Sequence, residues 1–183
     1  KKIITISQST KNDIIKEYQV PEEKIVVVYP GIKPTAYQSS ELCTMDILQS
    51  KYNVSKNFIL FVGTIQPRKN ISRLIEAFAK TISQEKIPDD LQLIIVGKKG
   101  WLYEDIIRKP TELGIEDKVK FLDFVADDEL TVFYKNAICY VLPSLYEGFG
   151  LPVLEAMQHD CPVITSNVSS LPEAGGDAAL YVN

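Results

Sequence analysis

From Phe58 onward, short apolar runs alternate with amphipathic stretches, and this rhythm restricts the fold more than any other feature of the chain. Strands are expected at 58–62, 91–96, 119–122, 137–142, 163–165 and 179–182. Between them fall helices at 70–83, 103–113, 127–135 and 151–159, with a short helical turn near 171–174. Ile71, Leu74, Ile75 and Phe78 make one apolar face on the first of these helices, and Asn70 ahead of it is a favoured N-cap residue. Such alternation predicts βα units, an α/β fold with a doubly wound parallel sheet buried on both faces. Upstream, a strand (3–7), a helix (from Ser9 or Thr10 to Tyr18) and a strand (24–29) lead through Pro30-Gly31 into a polar tract. A short helix is expected there, starting at Ser39-Ser40-Glu41 and running to about Tyr52. The expected divisions are 1–38, a linker helix region at 39–57, and a main domain at 58–183.

Each strand of the main domain is followed by an irregular loop: 63–69, 97–101, 123–126, 143–150 and 166–170. In open α/β sheets ligands bind beyond the carboxyl ends of the strands, so the residues of these loops gather along one edge. The loop at 143–150 says most about chemistry. Glu147 and Glu155 stand eight positions apart in Tyr146-Glu147-Gly148-Phe149-Gly150-Leu151-Pro152-Val153-Leu154-Glu155, flanking a glycine-bracketed turn that opens a helix. Gly148 and Gly150 let backbone approach a ligand closely, and Pro152 suits the first helical turn, where its missing N–H leaves no bond unmade. Such a helix start directs free N–H groups and a positive dipole end toward phosphate or a hydroxyl-rich group. One carboxylate in the loop and one about a turn into the helix suit a nucleotide-sugar. Carboxylates accept from hydroxyls while N–H groups and cations take the phosphates.

The span from Glu147 to Glu155 resembles the E-x7-E signature of retaining GT-B glycosyltransferases, in the large family 4, or group 1, branch. Phe61-Val62-Gly63-Thr64-Ile65-Gln66-Pro67-Arg68-Lys69-Asn70 resembles that family's first phosphate-binding loop. Gly97-Lys98-Lys99-Gly100-Trp101 and Val119-Lys120-Phe121-Leu122-Asp123-Phe124-Val125 fall where the family has its next two loops. The four blocks stand in the family's order from about Phe58 to the end. The resemblance implies the Rossmann-like C-terminal half of a GT-B fold, which holds the donor. The 1–37 segment is similar to the last strand–helix–strand of the N-terminal acceptor domain. That first domain supplies acceptor contacts and usually a His or Asp near the reacting carbon. The stretch 177–183 stops before the long helix that normally crosses back, so the chain reads as a donor-binding half that does not transfer sugar alone. Its first segment is expected to behave as an orphaned edge, mobile or paired with another copy.

The same resemblance implies roles for individual residues. Arg68 and Lys69 form a diphosphate clamp that stabilises charge growing on the leaving nucleoside diphosphate. Gly63 and Thr64 belong to the same loop; Thr64 stands where the family usually has an arginine, and Arg68 is the substitute. Glu147 meets donor-sugar hydroxyls, with Gly148, Phe149, Gly150 and Leu151 around sugar and phosphate. Glu155 accepts from ribose hydroxyls, Lys98 flanks the base or diphosphate, and Val125 offers backbone groups to the base. Arg68, Lys69 and Glu147 are the catalytic candidates, but neither Glu is expected to be a nucleophile. Retention is implied through a front-face, oxocarbenium-like departure in which the leaving phosphate accepts the incoming proton. The residues around Pro67–Asn70 and Ser144–Gly150 most resemble bacterial mannosyltransferases. GDP-mannose is therefore the first expectation for the donor, UDP-sugars stay open, and the acceptor is a saccharide or lipid-linked hydroxyl. A non-catalytic nucleotide-sugar-binding module and a GT-B epimerase remain alternatives.

The chain has 183 residues, 45% hydrophobic and 24% charged, enough for one ample core. A net charge of −4 gives nucleic-acid binding no electrostatic footprint. No apolar run approaches the roughly 20 residues of a membrane span. Cys43, Cys139 and Cys161 are odd in number and lack a C-x-x-C pair, which argues against a disulfide framework or zinc site. A reducing, cytoplasmic location follows, with any peripheral membrane association expected through the first domain. His159, the only histidine, falls at a helix C-terminus, where a cation suits the dipole and the role is structural. With no His pair and no Asp-x-Asp, neither a metal nor another cofactor is expected. Trp101 is expected to pack.

Overall fold

The computed structural model describes residues 1–32, 43–84 and 86–183. It opens with β1 (Ile3–Thr5), α1 (Gln8–Tyr18) and β2 (Ile25–Val27), followed by α2 (Met45–Tyr52). The main domain runs β3 (Phe58–Val62), α3 (Ile71–Ile82), β4 (Gln92–Val96), α4 (Glu104–Glu112), β5 (Val119–Leu122) and α5 (Asp127–Asn136). It continues with β6 (Cys139–Leu142), α6 (Leu151–Gln158), β7 (Val163–Ser166), α7 (Leu171–Gly175) and β8 (Ala179–Val182). Pro34, the expected helix start at Ser39–Glu41 and the 38/39 boundary lie outside the described residues; the later part of that helix is α2.

The six main-domain strands form one all-parallel sheet in the order β5-β4-β3-β6-β7-β8. This is the doubly wound order in which the chain builds outward from β3 on one side, then returns to β6 and builds outward on the other. The crevice beyond the carboxyl ends of β3 and β6 is where such sheets bind ligands. β3 and β4 read as nearly unbroken apolar runs because helices cover both faces: Phe58, Leu60, Phe61, Leu93, Ile94 and Ile95 are all fully buried. Against them lie Ile71, Leu74, Ile75 and Phe78 of α3, the face expected from its spacing.

Most differences from the expected elements have a local cause. β6 begins at Cys139 rather than residue 137, since the Ala137 N–H still closes the last turn of α5 on the Phe133 carbonyl. Glu22–Lys24 make a 3-10 turn, which delays β2 to Ile25. Asn70 does occupy the cap of α3, but by a left-handed backbone with φ 56° and without a capping side-chain bond. Its own N–H closes the preceding 3-10 turn on the Pro67 carbonyl, so the residue serves two adjoining turns through its backbone rather than through its side-chain amide.

At the carboxyl edge the loops after β3 and β4 are stitched together. The Gly63 N–H donates to the Val96 carbonyl (2.9 Å), Ile65 N–H to Lys98 (2.9 Å), and Gly100 N–H to Ile65 (2.9 Å). The backbones approach so closely that a Cβ on Gly97, at φ +154°, would lie 2.0 Å from the Gly63 carbonyl oxygen. Only glycine fits there.

The opening segment forms a separate two-stranded sheet, with no strand of the main sheet beside it among the described residues. β1 and β2 pair with each other in parallel register, Ile3 with Ile25 through Thr5 with Val27. Polar bonds then fix it to the main domain: the Gln8 and Ser9 N–H groups donate to the two carboxylate oxygens of Glu173 (2.6 and 2.8 Å), and Tyr146 Oη donates to Asp13 (2.7 Å). The Tyr29 and Phe149 rings also meet, centroids 5.7 Å apart.

Candidate active site at the sheet switch point

Arg68 and Lys69 end a 3-10 turn (Pro67–Lys69) that the chain makes on leaving β3, and Glu147 lies in the loop leaving β6. The switch-point topology therefore brings together residues 78 and 79 positions apart in sequence. The Leu145 N–H donates to the Arg68 carbonyl (2.9 Å), tying the two loops by backbone as well. Glu147 is the hub. Its Oε1 accepts from Lys69 Nζ (2.5 Å) and Ser144 Oγ (2.7 Å), and its Oε2 from Arg68 Nη1 (2.9 Å). Its own N–H donates to Ser169 Oγ (2.9 Å), and its carbonyl accepts from Ser170 Oγ (2.9 Å). Lys69 and Glu147 are both buried, at 8% and 7% exposure.

Burial alone would raise the Glu147 carboxyl, but the Lys69 ammonium, the Ser144 hydroxyl and the Arg68 guanidinium outweigh it and hold the group below the ordinary carboxylate value. Two cations and one carboxylate leave the cluster net positive. Among the described residues, three of the roughly four lone-pair sites of the Glu147 carboxylate are filled, two on Oε1 and one on Oε2. In this structure the Glu147 carboxylate bridges the two cations.

Gly150 opens α6 at φ +103°, with Leu151 and Pro152 in the first turn as the sequence suggests. A Cβ there would press to 2.8 Å from Leu171 Cδ2, so the glycine is needed for packing as well as for backbone. Phe149 is buried and Gly148 passes under Ile6 of the opening segment. Glu155, half-buried in α6, accepts from Tyr134 Oη (3.2 Å). Between the two acids stands Tyr140, wholly buried on β6, its phenol pushed well up by burial and by the charges of Glu147 and Glu155.

The remaining candidates line the same edge. Gly63 and Thr64 follow β3, Lys98 is exposed after β4, and Val125 is buried after β5. Trp101 does not pack: it is 57% exposed on the loop after β4, and Phe124, after β5, is 71% exposed. Gly100, whose Cβ would collide with Thr64 Cγ2 at 2.8 Å, keeps that loop flat against its neighbour and leaves the next residue outside. His159 is structural but not as a cation on a helix end. It stacks on Tyr134 (centroids 5.7 Å, 19° between planes), and burial, with the Lys135 charge, holds its pKa below the ordinary imidazole value and disfavours the cation. Burial pushes the Cys161 thiol up to about 11 and raises Cys139 and Cys43 too, which makes all three poor nucleophiles. Among the described residues no cluster of metal-ligating side chains occurs.

Four residues of this site escape a reading of sequence: Ser144, Ser169, Ser170 and Tyr146. The serine-rich loop after β7 stands out as irregular, but nothing in its spacing says that it brackets the backbone of Glu147. That is known only once β7 lies beside β6.

The family model of glycosyl transferases group 1 matches residues 46–179, which include the Arg68–Lys69–Glu147 cluster and all of α6. The chain belongs to that family. This group 1 glycosyl transferase chain is 35% identical over 184 residues to the O-antigen chain mannosyltransferase B of Escherichia coli, covering 100% of this chain and 48% of the relative. Among solved structures, the glycosyltransferase from Rickettsia africae ESF-5 superposes with a TM-score of 0.85 at 20% identity, covering 100% of this chain and 49% of that one. Alr3699/HepE of Anabaena in complex with UDP-glucose superposes with a TM-score of 0.77 at 24% identity, covering 100% and 50%. The group 1 chain thus spans about half the length of the relatives it matches. Its sheet and flanking helices have the fold of the GT-B C-terminal half. No helix among the described residues is long and apolar enough to cross a membrane.

Proposed function

We propose that this chain binds the donor for a retaining hexosyltransferase, with a nucleoside diphosphate seated across Arg68, Lys69 and the start of α6. The observation that carries this reading is the net-positive cluster of Arg68, Lys69 and Glu147 at the β3–β6 switch point, in front of a helix N-terminus. In the reaction the bond from the anomeric carbon to the diphosphate oxygen breaks, and a bond to the acceptor hydroxyl oxygen forms on the same face. The acceptor's proton passes to the leaving phosphate. Lys69 and Arg68 offset the negative charge that grows on the diphosphate, Glu147 accepts from a donor-sugar hydroxyl, and Glu155 accepts from the ribose. Backbone groups of Gly63, Thr64, Gly148, Phe149, Gly150 and Leu151 complete the donor contacts, with Lys98 and Val125 toward the base. The cationic clamp takes the place a divalent ion would occupy, so no metal or other cofactor is required.

The mannosyltransferase of Escherichia coli supports a mannosyl donor, and GDP-mannose is the first choice; the UDP-glucose complex of a structural neighbour keeps UDP-sugars as the second. The acceptor is a saccharide or lipid-linked hydroxyl met on the cytoplasmic side. Residues 1–38 are assigned to the acceptor domain, 39–57 to the linker and 58–183 to the donor domain. Calorimetry with GDP, UDP and GDP-mannose, with and without a chelator, tests the reading. Equal binding in both conditions is expected; binding only with Mg²⁺, or none at all, would overturn it.

A further inference from the structure

Tyr146 reaches two parts of the molecule at once. On one side its hydroxyl donates to Asp13 Oδ2 of α1 (2.7 Å), the first cause of its raised pKa, and also meets the Thr10 side chain of the same helix. On the other side its carbonyl accepts from Arg68 Nη1, the same nitrogen that reaches Glu147 Oε2 at 2.9 Å. Both bonds use Nη1, so among the described residues the Nε and Nη2 hydrogens of Arg68 stay available in a fixed fork. The helix on the far side is held lightly. α1 has no buried residue; Asp13, with Glu173 on the Gln8 and Ser9 N–H groups (2.6 and 2.8 Å), does much of the fastening. Polar, partly exposed bonds of this kind open and close more readily than packed apolar faces.

We propose that Tyr146 is a positioning residue that couples the docking of α1 to the posture of Arg68, so that α1 docked against the loop and a nucleoside diphosphate on the cation pair favour each other. The inference rests on the donor-binding reading above. Its energetic logic is reciprocal: if the docked helix steadies the loop that aims Arg68, then a diphosphate on Arg68 steadies the docked helix by the same factor. The peptide group that joins Tyr146 to Glu147 is also held at its N–H by Ser169 Oγ (2.9 Å), so docked α1 and Ser169 share the fastening of the carbonyl that Arg68 takes.

The test uses the chain itself, GDP and UDP as probes, and two readouts. Tyr146→Phe deletes only the hydroxyl. It is expected to weaken the better-bound diphosphate about five- to tenfold, the worth of one hydrogen bond, and to speed amide exchange in α1 without nucleotide. Asp13→Ala is expected to do the same, and the double variant to be no worse than either single one. Asp13→Asn, which still offers an acceptor oxygen, is expected to restore both affinity and protection. Diphosphate is expected to slow α1 exchange in the unaltered chain but not in Tyr146→Phe. Unchanged affinity in Tyr146→Phe, or additive losses in the double variant, would overturn the coupling. If the unaltered chain binds neither diphosphate, the donor-binding reading falls and the coupling with it. The nucleotide-free exchange difference then still decides whether Tyr146 fastens α1.

Discussion

Lys69 Nζ, Ser144 Oγ and Arg68 Nη1 converge on one carboxylate, and that convergence changes what substitutions there do. Glu147→Gln strips the charge from a pair in which both side chains are buried and leaves Lys69 without its anion. Such breaks lower stability by about 3 kcal/mol, and urea unfolding is expected to read a loss of that size; a solvated loop acid would lose almost nothing. The pH dependence has the same origin. The pKa values of Glu147 and Glu129 are held below their ordinary 4.5 in the folded chain, so their stabilisation is present above that value and is lost as pH falls through the lowered one. Urea midpoints are expected to be level from pH 7 to about 5 and to fall below it, less steeply in Glu147→Gln. For the proposed donor site, Lys69→Ala is expected to weaken GDP or UDP by about 1.5–3 kcal/mol in calorimetry, the range for a charge-assisted hydrogen bond.

Among the elements, β3, β4 and β5 with their following loops carry the tightest steric demand. A Cβ at Gly97 would meet the Gly63 carbonyl oxygen at 2.0 Å, and backbone cannot give way as a side chain does. Gly97→Ala is expected to cost about 3 kcal/mol in urea unfolding; a loss under 1 kcal/mol would show that the two loops part easily. α2 is joined to α5 differently, through Glu129, which accepts from Lys51 Nζ (2.5 Å), Tyr52 Oη (2.8 Å) and the Ala126 N–H at the start of α5 (3.3 Å). Glu129 thereby serves α5 as a cap and α2 as an anchor. The helix faces were legible in sequence because apolar residues at helical spacing must be buried whatever they meet. The start of β6 was not: Ala137 and Ile138 are apolar enough for a strand, but the N–H of Ala137 is still engaged by α5.

For the whole molecule, the proposed division of labour predicts that this chain binds donor but does not transfer. Alignment of the acceptor hydroxyl with the anomeric carbon supplies much of the rate of such a reaction, and the family resemblance assigns those contacts to the first domain. Labelled GDP-mannose with a hydroxyl acceptor, assayed on this chain and on one extended upstream, checks this; robust transfer by the shorter chain would refute it. The sequence by itself determined the α/β class, the parallel sheet, the edge where the irregular loops gather and the family, because periodicity and the four loop blocks are local properties of the chain. Only tertiary structure decided that Glu147 clasps Lys69 and Arg68, that Ser169 and Ser170 fix its backbone, that Trp101 is left outside, and that α1 fastens to Tyr146 and Glu173. Each of these joins residues that are distant in sequence or depends on how closely two backbones approach. Strand order brings such partners together, and no local pattern of residue types encodes it.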